Sequence, residues 1–178
     1  DLPYNTYRNK SEALKNSKKA IKETKCDAVK VEGGTRVKEI VKHLVKNKIP
    51  VLGHIGITPQ TAKGKFRSKG KNESEIRKLL KDAQDLEQSG AFGMVLECIY
   101  SDISKQITNA INIPTIGIGA SVNCDGQVLV TDDLIGLNET KFRFVKKFGN
   151  IKKDIKSAVI KYKNSVKQKK FPSKKNSY

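Results

Sequence analysis

Short apolar segments alternate with longer amphipathic segments along most of this 178-residue chain, and the alternation restricts the folds that it can adopt. The amphipathic segments repeat apolar residues every three to four positions, which predicts helices. The apolar segments follow one another at intervals of roughly 20–40 residues, as strands do when a helix connects each to the next. They span residues 28–32, 51–55, 92–97 and 114–119. This pattern is typical of a parallel α/β sheet with both faces covered.

The predicted helices have recognisable starts. Thr35 can cap the second one, and Asn72 followed by Glu75 is typical of the start of the third. The apolar run from Val128 to Val130 lies in a stretch, 124–136, that offers one or two further strands. The helices are predicted over residues 11–25, 35–45, 72–90, 101–111, 142–148 and 151–166.

Four polar residues lie at the carboxyl ends of predicted strands, namely Lys30, Glu32, His54 and Glu97. The carboxyl ends of parallel strands meet at one edge of a sheet. That edge carries the functional site both in a doubly wound sheet and in a (β/α)8 barrel. Periodicity does not distinguish these two architectures, but both predict a site at the same edge.

The chain is strongly basic, with a formal charge of +18, and only five of its 36 basic residues are Arg. Residues 141–178 contain 14 of them against the single acid Asp154. Nucleic-acid recognition favours Arg, which makes bidentate contacts, and aromatic residues interleaved with basic ones. Because neither pattern occurs, we interpret the charge as a solvated lysine-rich surface and expect no specific nucleic-acid partner.

The cysteines and histidines limit the metal chemistry. Cys26, Cys98 and Cys124 are odd in number and form no closely spaced pair, which favours a reducing compartment and no zinc site. A bound metal is therefore expected to have carboxylate ligands, which suits magnesium. A run of about 18 apolar residues, as a membrane helix requires, does not occur. We expect a cytoplasmic protein without a membrane partner.

The role of each polar strand-end residue has two possible interpretations, one structural and one functional. Lys30 and Glu32 are two apart on one strand, so their side chains leave the same face about 6–7 Å apart. They form either an ion pair or a site in which Glu32 binds a metal and Lys30 a substrate carboxylate. Glu97 follows an apolar run and is either a proton-transferring carboxyl or a solvent-facing one. His54 either lines the same pocket or forms its hydrogen bonds with the backbone at the strand end.

Five segments in order over nearly the whole chain resemble the ketopantoate hydroxymethyltransferase family. They are Val29-Lys30-Val31-Glu32-Gly33-Gly34, Gly53-His54-Ile55-Gly56-Ile57-Thr58-Pro59-Gln60, Val95-Leu96-Glu97-Cys98, Ile113-Pro114-Thr115-Ile116-Gly117-Ile118-Gly119-Ala120 and Cys124-Asp125-Gly126-Gln127-Val128-Leu129-Val130. The resemblance implies transfer of a hydroxymethyl group from 5,10-methylenetetrahydrofolate to 3-methyl-2-oxobutanoate through a magnesium-stabilised enolate, which gives 2-dehydropantoate for pantothenate biosynthesis.

The same resemblance implies roles for individual residues. Asp1, in Asp1-Leu2-Pro3-Tyr4, and Glu32 would be ligands of one Mg²⁺ per subunit. Asp1, Lys30 and His54 would contact the oxoacid, and Glu97 would be the proton acceptor. Homo-oligomers are expected, as in the family.

The resemblance also implies a (β/α)8 barrel of the phosphoenolpyruvate/pyruvate type. Such a barrel usually needs about 250 residues, so we interpret the chain as an incomplete barrel without the first βα units. Residues 1–166 would form the partial barrel with its C-terminal helices, and residues 167–178 a basic, frayed tail. The loop at 62–72 is shorter and more basic than in the family.

Two other functions are compatible with these residues. A magnesium-dependent lyase or mutase of another small oxoacid would share the carboxylate site but would not depend on folate. A basic nucleic-acid-binding module is also compatible with the charge, and its binding would weaken steeply with added salt.

Overall fold

The computed structural model describes residues 1–62 and 67–178. In that part of the chain, five parallel strands form one sheet with the spatial order β1-β2-β3-β4-β5. The strands are β1 (Val29–Glu32), β2 (Val51–Gly56), β3 (Gly93–Glu97), β4 (Thr115–Ile118) and β5 (Gly126–Gln127).

The order of the strands decides between the two architectures left open by the sequence. Each strand pairs with the strand that follows it in the chain, so successive strands are added in one direction across the sheet. A doubly wound sheet has a switch point at which the order reverses, whereas successive strands of a (β/α)8 barrel stay neighbours. The predicted incomplete barrel is therefore confirmed.

Helices connect the strands as the periodicity predicts. Asn72 caps the third helix by accepting a hydrogen bond from the Glu75 amide (3.0 Å). Thr35 does not cap the second helix, because it begins a short 3-10 turn and its hydroxyl donates to Asp82 (2.9 Å). The helices are α1 (Lys10–Thr24), α2 (Lys38–Lys46), α3 (Glu73–Gln88), α4 (Ser101–Ala110), α5 (Thr131–Leu134) and α6 (Ile151–Lys167).

The core lies between the sheet and one face of each of the first four helices. The apolar residues that repeat along each helix supply that face, and side chains of this size each stabilise the fold by about 1.5–3 kcal/mol when fully buried. The largest fully buried apolar side chains include Val31, Leu44, Val51, Leu86, Met94, Leu96 and Ile107.

The chain divides into two compact units, residues 1–128 and 129–178. The first unit contains the whole sheet. The second contains α5, α6 and a short 3-10 turn at Lys174–Asn176. No residue of α6 is buried, and its apolar residues, such as Ile155 and Val159, are exposed.

One of the six predicted helices is wrong. Residues 142–148 do not form a helix. Phe142 and Phe144 stack with parallel rings 5.8 Å apart, and a spacing of two brings side chains together on an extended chain but not on a helix. Of the one or two further strands expected at 124–136, one forms, because β5 covers Gly126–Gln127. The chain leaves the sheet after the Val128 amide donates to the carbonyl of Gly117 (3.0 Å).

In the part of the chain that the structure describes, no helix has the length and apolar character needed to cross a membrane.

Candidate active site

The four predicted strand-end residues come together at the carboxyl edge of the sheet. Glu32 is the last residue of β1 and lies beside His54 of β2 in the strand register. His54 also lies beside Val95 of β3, two residues before Glu97. Since alternate residues of a strand face the same side, this register directs the four side chains to one place. We call Lys30, Glu32, His54 and Glu97 the strand-end cluster.

The imidazole of His54 is the centre of the strand-end cluster. Its side chain is only 3% exposed. Nδ1 lies 3.1 Å from the Nζ of Lys30 and 3.7 Å from Oε1 of Glu32. Nε2 lies 3.1 Å from Oε2 of Glu97. One buried ring therefore separates the amino group of Lys30 from the carboxylate of Glu97.

The contact with Lys30 favours one tautomer of the His54 ring. A lysine ammonium can only donate hydrogen bonds, so in this contact Nδ1 acts as the acceptor, and the matching tautomer has its hydrogen on Nε2. Nε2 lies 3.1 Å from Oε2 of Glu97, but the direction of the ring N–H is not aligned for a hydrogen bond with that carboxylate. Nε2 therefore has no hydrogen-bond partner among the described residues. An unpaired polar atom in a buried position is costly, and a bound ligand can satisfy it.

Lys30 connects the strand-end cluster to the start of the chain. Its Nζ forms an ion pair with Oδ1 of Asp1 (3.1 Å). Burial lowers the pKa of the Lys30 ammonium, and the nearby carboxylates of Glu32 and Glu97 partly oppose that shift. Lys30 therefore presents a poorly hydrated cation, which is suited to bind an anionic group of a small ligand.

Glu32 is buried and is held by the loop that follows β2. Its Oε2 accepts a hydrogen bond from the Gln60 amide (3.0 Å). The side-chain amide of Gln60 donates to the carbonyl of Leu2 (3.1 Å), and its oxygen lies 3.4 Å from the Tyr7 hydroxyl. Burial raises the pKa of Tyr7, with a further contribution from Glu32. No sequence pattern predicts these roles of Gln60 and Tyr7, although Gln60 ends one of the five resembling segments.

The acidic residues match part of what a hard cation requires. Carboxylate oxygens such as those of Asp1 and Glu32 are preferred ligands of magnesium. Within residues 1–62 and 67–178, no three His, Cys, Asp or Glu side chains are close enough to hold a metal ion by themselves. A magnesium ion here would therefore take its remaining ligands from substrate and water, as this ion commonly does.

A cavity of about 450 Å³ opens beside the end of β2. Gly33 and Gly34 line one side, and Arg67 and Lys69 lie on another, but the strand-end cluster does not contribute to its lining. The basic loop predicted at 62–72 thus contributes to this cavity, although its residues 63–66 lie outside the described residues. We place the chemistry at the strand-end cluster because the ionisable groups converge there.

The fold and the cluster define a class of protein, a (β/α)-barrel enzyme with carboxylate, imidazole and amino groups at the carboxyl edge of its sheet. The model of one family, described as ketopantoate hydroxymethyltransferase, matches residues 1–174. The chain belongs to the ketopantoate hydroxymethyltransferase family.

Curated relatives agree with this assignment. The chain is 57% identical over 178 residues to the 3-methyl-2-oxobutanoate hydroxymethyltransferase of Pelagibacter ubique, which covers all of this chain and 69% of that protein. It is 47% identical to the enzyme of the same name from Clostridium botulinum (strain 657 / Type Ba4), covering all of this chain and 66% of that protein. The chain thus spans about two thirds of the length of these relatives.

Solved structures of low sequence identity are also similar to this chain. Dihydrodipicolinate synthase from Oceanobacillus iheyensis aligns with a TM-score of 0.42 at 13% identity, over 65% of this chain and 40% of that one. A dihydrodipicolinate synthase from Agrobacterium tumefaciens gives the same TM-score and identity over 71% and 44%.

Proposed function

We propose that the protein transfers a hydroxymethyl group from 5,10-methylenetetrahydrofolate to 3-methyl-2-oxobutanoate, with 2-dehydropantoate and tetrahydrofolate as products. In this reaction C3 of the oxoacid loses a proton and forms a bond to the one-carbon unit, and a water molecule supplies the hydroxyl oxygen. Membership of the family supports this function over the lyase or mutase and over the nucleic-acid-binding module.

The observation that carries the proposal is the pair of contacts on the two sides of His54. The ring lies 3.1 Å from the amino group of Lys30 on one side and 3.1 Å from the carboxylate of Glu97 on the other. A cation that binds a carboxylate and a base that removes a proton must lie a few ångströms apart to act on an oxoacid of five carbons. The strand-end cluster has this arrangement.

Glu97 is the proposed proton acceptor. Its side chain is 19% exposed, so it is reachable by a ligand but largely shielded from water. A positioned base of this kind contributes about 10²–10⁴-fold to a proton transfer. Glu97 ends β3, which fixes its backbone against β2 and β4. We propose that it takes the C3 proton of the oxoacid.

Lys30 and His54 are the proposed binding residues for the oxoacid. The poorly hydrated ammonium of Lys30 would pair with the substrate carboxylate. The Nε2 hydrogen of His54 has no partner among the described residues and would donate to a substrate oxygen. Both interactions orient the oxoacid so that its C3 hydrogen faces Glu97.

Asp1 and Glu32 are the proposed protein ligands of one Mg²⁺ per subunit. When bound, magnesium would act as a Lewis acid that polarises the keto group of the substrate. Asp1 already contacts Lys30, so the same carboxylate would also border the substrate.

Homo-oligomerisation and a cytoplasmic location remain part of the proposal, and three free cysteines support a reducing environment.

The test is an assay of the complete protein that carries this sequence. Formation of 2-dehydropantoate should require magnesium, the folate donor and 3-methyl-2-oxobutanoate together. Omission of the folate alone should stop it, which separates the transferase from the lyase or mutase. Turnover without the folate, or no turnover with all three present, would contradict the proposal.

A further inference from the structure

We infer that Gln60 is a positioning residue that holds the segment carrying Asp1 against Glu32. The inference rests on the proposed function only where activity is measured. Gln60 contacts neither Lys30, His54 nor Glu97 by a hydrogen bond among those described, so it would act through the residues that it orients.

Gln60 uses its backbone and its side chain on different partners. Its backbone amide donates to Oε2 of Glu32 (3.0 Å). Its side-chain nitrogen donates to the carbonyl of Leu2 (3.1 Å), and its side-chain oxygen lies 3.4 Å from the hydroxyl of Tyr7. One residue of the loop after β2 thus connects the end of β1 with two points of the segment 1–7.

The segment 1–7 depends on few other attachments close to Asp1. The amide of Leu2 donates to the carbonyl of Lys30 (3.1 Å), and the side chain of Leu2 is buried. Gln60 therefore completes the backbone hydrogen bonding of Leu2, the neighbour of Asp1. Because the side chain of Asp1 is itself 55% exposed, its location is set mainly by this backbone and by Lys30.

The division between backbone and side chain makes a specific substitution informative. Gln60→Met keeps the size of the side chain and keeps the amide that holds Glu32, but it removes both side-chain interactions with the segment 1–7. The substitution should therefore displace Asp1 and leave Glu32 in place. A displacement of about 1 Å in a catalytic group can cost about 10²-fold in rate.

The first readout is hydrogen–deuterium exchange of the segment 2–8 in the complete, metal-free protein. Each lost hydrogen bond contributes about 0.5–1.5 kcal/mol, so Gln60→Met should speed exchange of this segment by about 5- to 100-fold. The matched control is Asn47→Leu, which removes a similar bond from a side-chain amide to a carbonyl (His43, 2.8 Å) at the opposite edge of the sheet. The control should leave exchange of the segment 2–8 unchanged.

The second readout is the effect on magnesium and on turnover. Gln60→Met should weaken magnesium binding, measured by calorimetry in the presence of 3-methyl-2-oxobutanoate, and should lower kcat/KM by about 10- to 100-fold. If Gln60→Met does not fold, Gln60→Glu replaces it, because a carboxylate accepts from Tyr7 but cannot donate to Leu2. Gln60→Glu should loosen the segment 2–8 as well, but to a smaller extent, because it loses only the bond to Leu2.

Unchanged exchange of the segment 2–8 in a folded Gln60 variant would overturn the inference, as would an equal increase in Asn47→Leu. Failure of the proposed function is a separate result. In that case the wild-type protein forms no 2-dehydropantoate, whereas the loosening of the segment in Gln60→Met is still observed.

Discussion

His54 and Glu97 approach each other within 3.1 Å (Nε2 to Oε2) without forming a hydrogen bond. The other ring nitrogen is engaged by Lys30 (3.1 Å). The strand-end cluster thus contains a proton donor and a proton acceptor that are close together but not paired with each other. Both are available to a ligand that binds beside them.

The first prediction concerns Glu97 as the base. Glu97→Gln keeps the shape of the side chain but cannot accept the C3 proton, so turnover should fall by about 10²–10⁴-fold. The proton transfer is measured directly as exchange of the C3 hydrogen of 3-methyl-2-oxobutanoate with D₂O. The exchange is run without the folate and is monitored by NMR. Glu73→Gln, an exposed glutamate of α3 paired with Arg77 (3.1 Å), is the matched control and should exchange at the wild-type rate. Wild-type exchange in Glu97→Gln would show that another group is the base.

The second prediction concerns Lys30 as the residue that binds the substrate carboxylate. Lys30→Met keeps most of the apolar stem and removes the cation. A hydrogen bond to a charged group contributes about 1.5–3 kcal/mol, so the KM for 3-methyl-2-oxobutanoate should rise by about 10- to 100-fold, with a smaller change in kcat. Steady-state kinetics at saturating folate and magnesium measure both constants. Lys42→Met, an exposed lysine of α2, should change neither. An unchanged KM in Lys30→Met would exclude this role.

The third prediction concerns Gly56 at the end of β2. Its φ of 99° is rare for other residues, and a Cβ there would lie 2.1 Å from the carbonyl oxygen of Glu97. Gly56→Ala should lower the free energy of unfolding by about 2–4 kcal/mol, since strain at positive φ and overpacking both contribute. Urea denaturation measures the loss. Gly126→Ala is the control, because its Cβ would meet only the side-chain tip of Ile116 (2.9 Å) and should cost less than about 1 kcal/mol. Equal stabilities would contradict the prediction.

The sequence predicts the strands and the position of the cluster because both depend on local patterns. Apolar runs give β1 to β4, and a polar residue at the end of such a run, such as Glu32 or Glu97, must lie at the carboxyl edge. The order of the strands does not follow from periodicity. It depends on packing between distant segments, and a resemblance in five segments was needed to predict the barrel.

The contacts of Gln60 show what a local pattern cannot predict. Its partners lie 28 residues away at Glu32 and 58 residues away at Leu2. A single amide in a loop has no period that would indicate these partners. The wrong helix at 142–148 has a related cause, since three phenylalanines among basic residues resemble a helical stripe, whereas Phe142 and Phe144 stack on a non-helical chain.

The last prediction concerns the pH dependence of Cys98, which follows Glu97. Burial, together with the adjacent Glu97 carboxylate, raises the pKa of the Cys98 thiol from 9.0 to about 11. The neutral thiol is therefore favoured in the folded state. Below pH 9 this group leaves the free energy of unfolding constant, and between pH 9 and about 11 it makes that free energy decrease, because the unfolded chain loses its proton first.

Alkylation by iodoacetamide tests this pKa, since only the thiolate reacts. In a variant with Cys26→Ser and Cys124→Ser, the rate at Cys98 should rise with a midpoint of about 11 in the folded protein and near 9.0 in urea. Glu97→Gln in the same background should lower the folded midpoint, because it removes the second cause of the shift and leaves the burial. An alkylation midpoint near 9.0 in the folded protein would mean that the Cys98 thiol is as well hydrated as in the unfolded chain. The end of β3 would then be more open to water than its packing indicates.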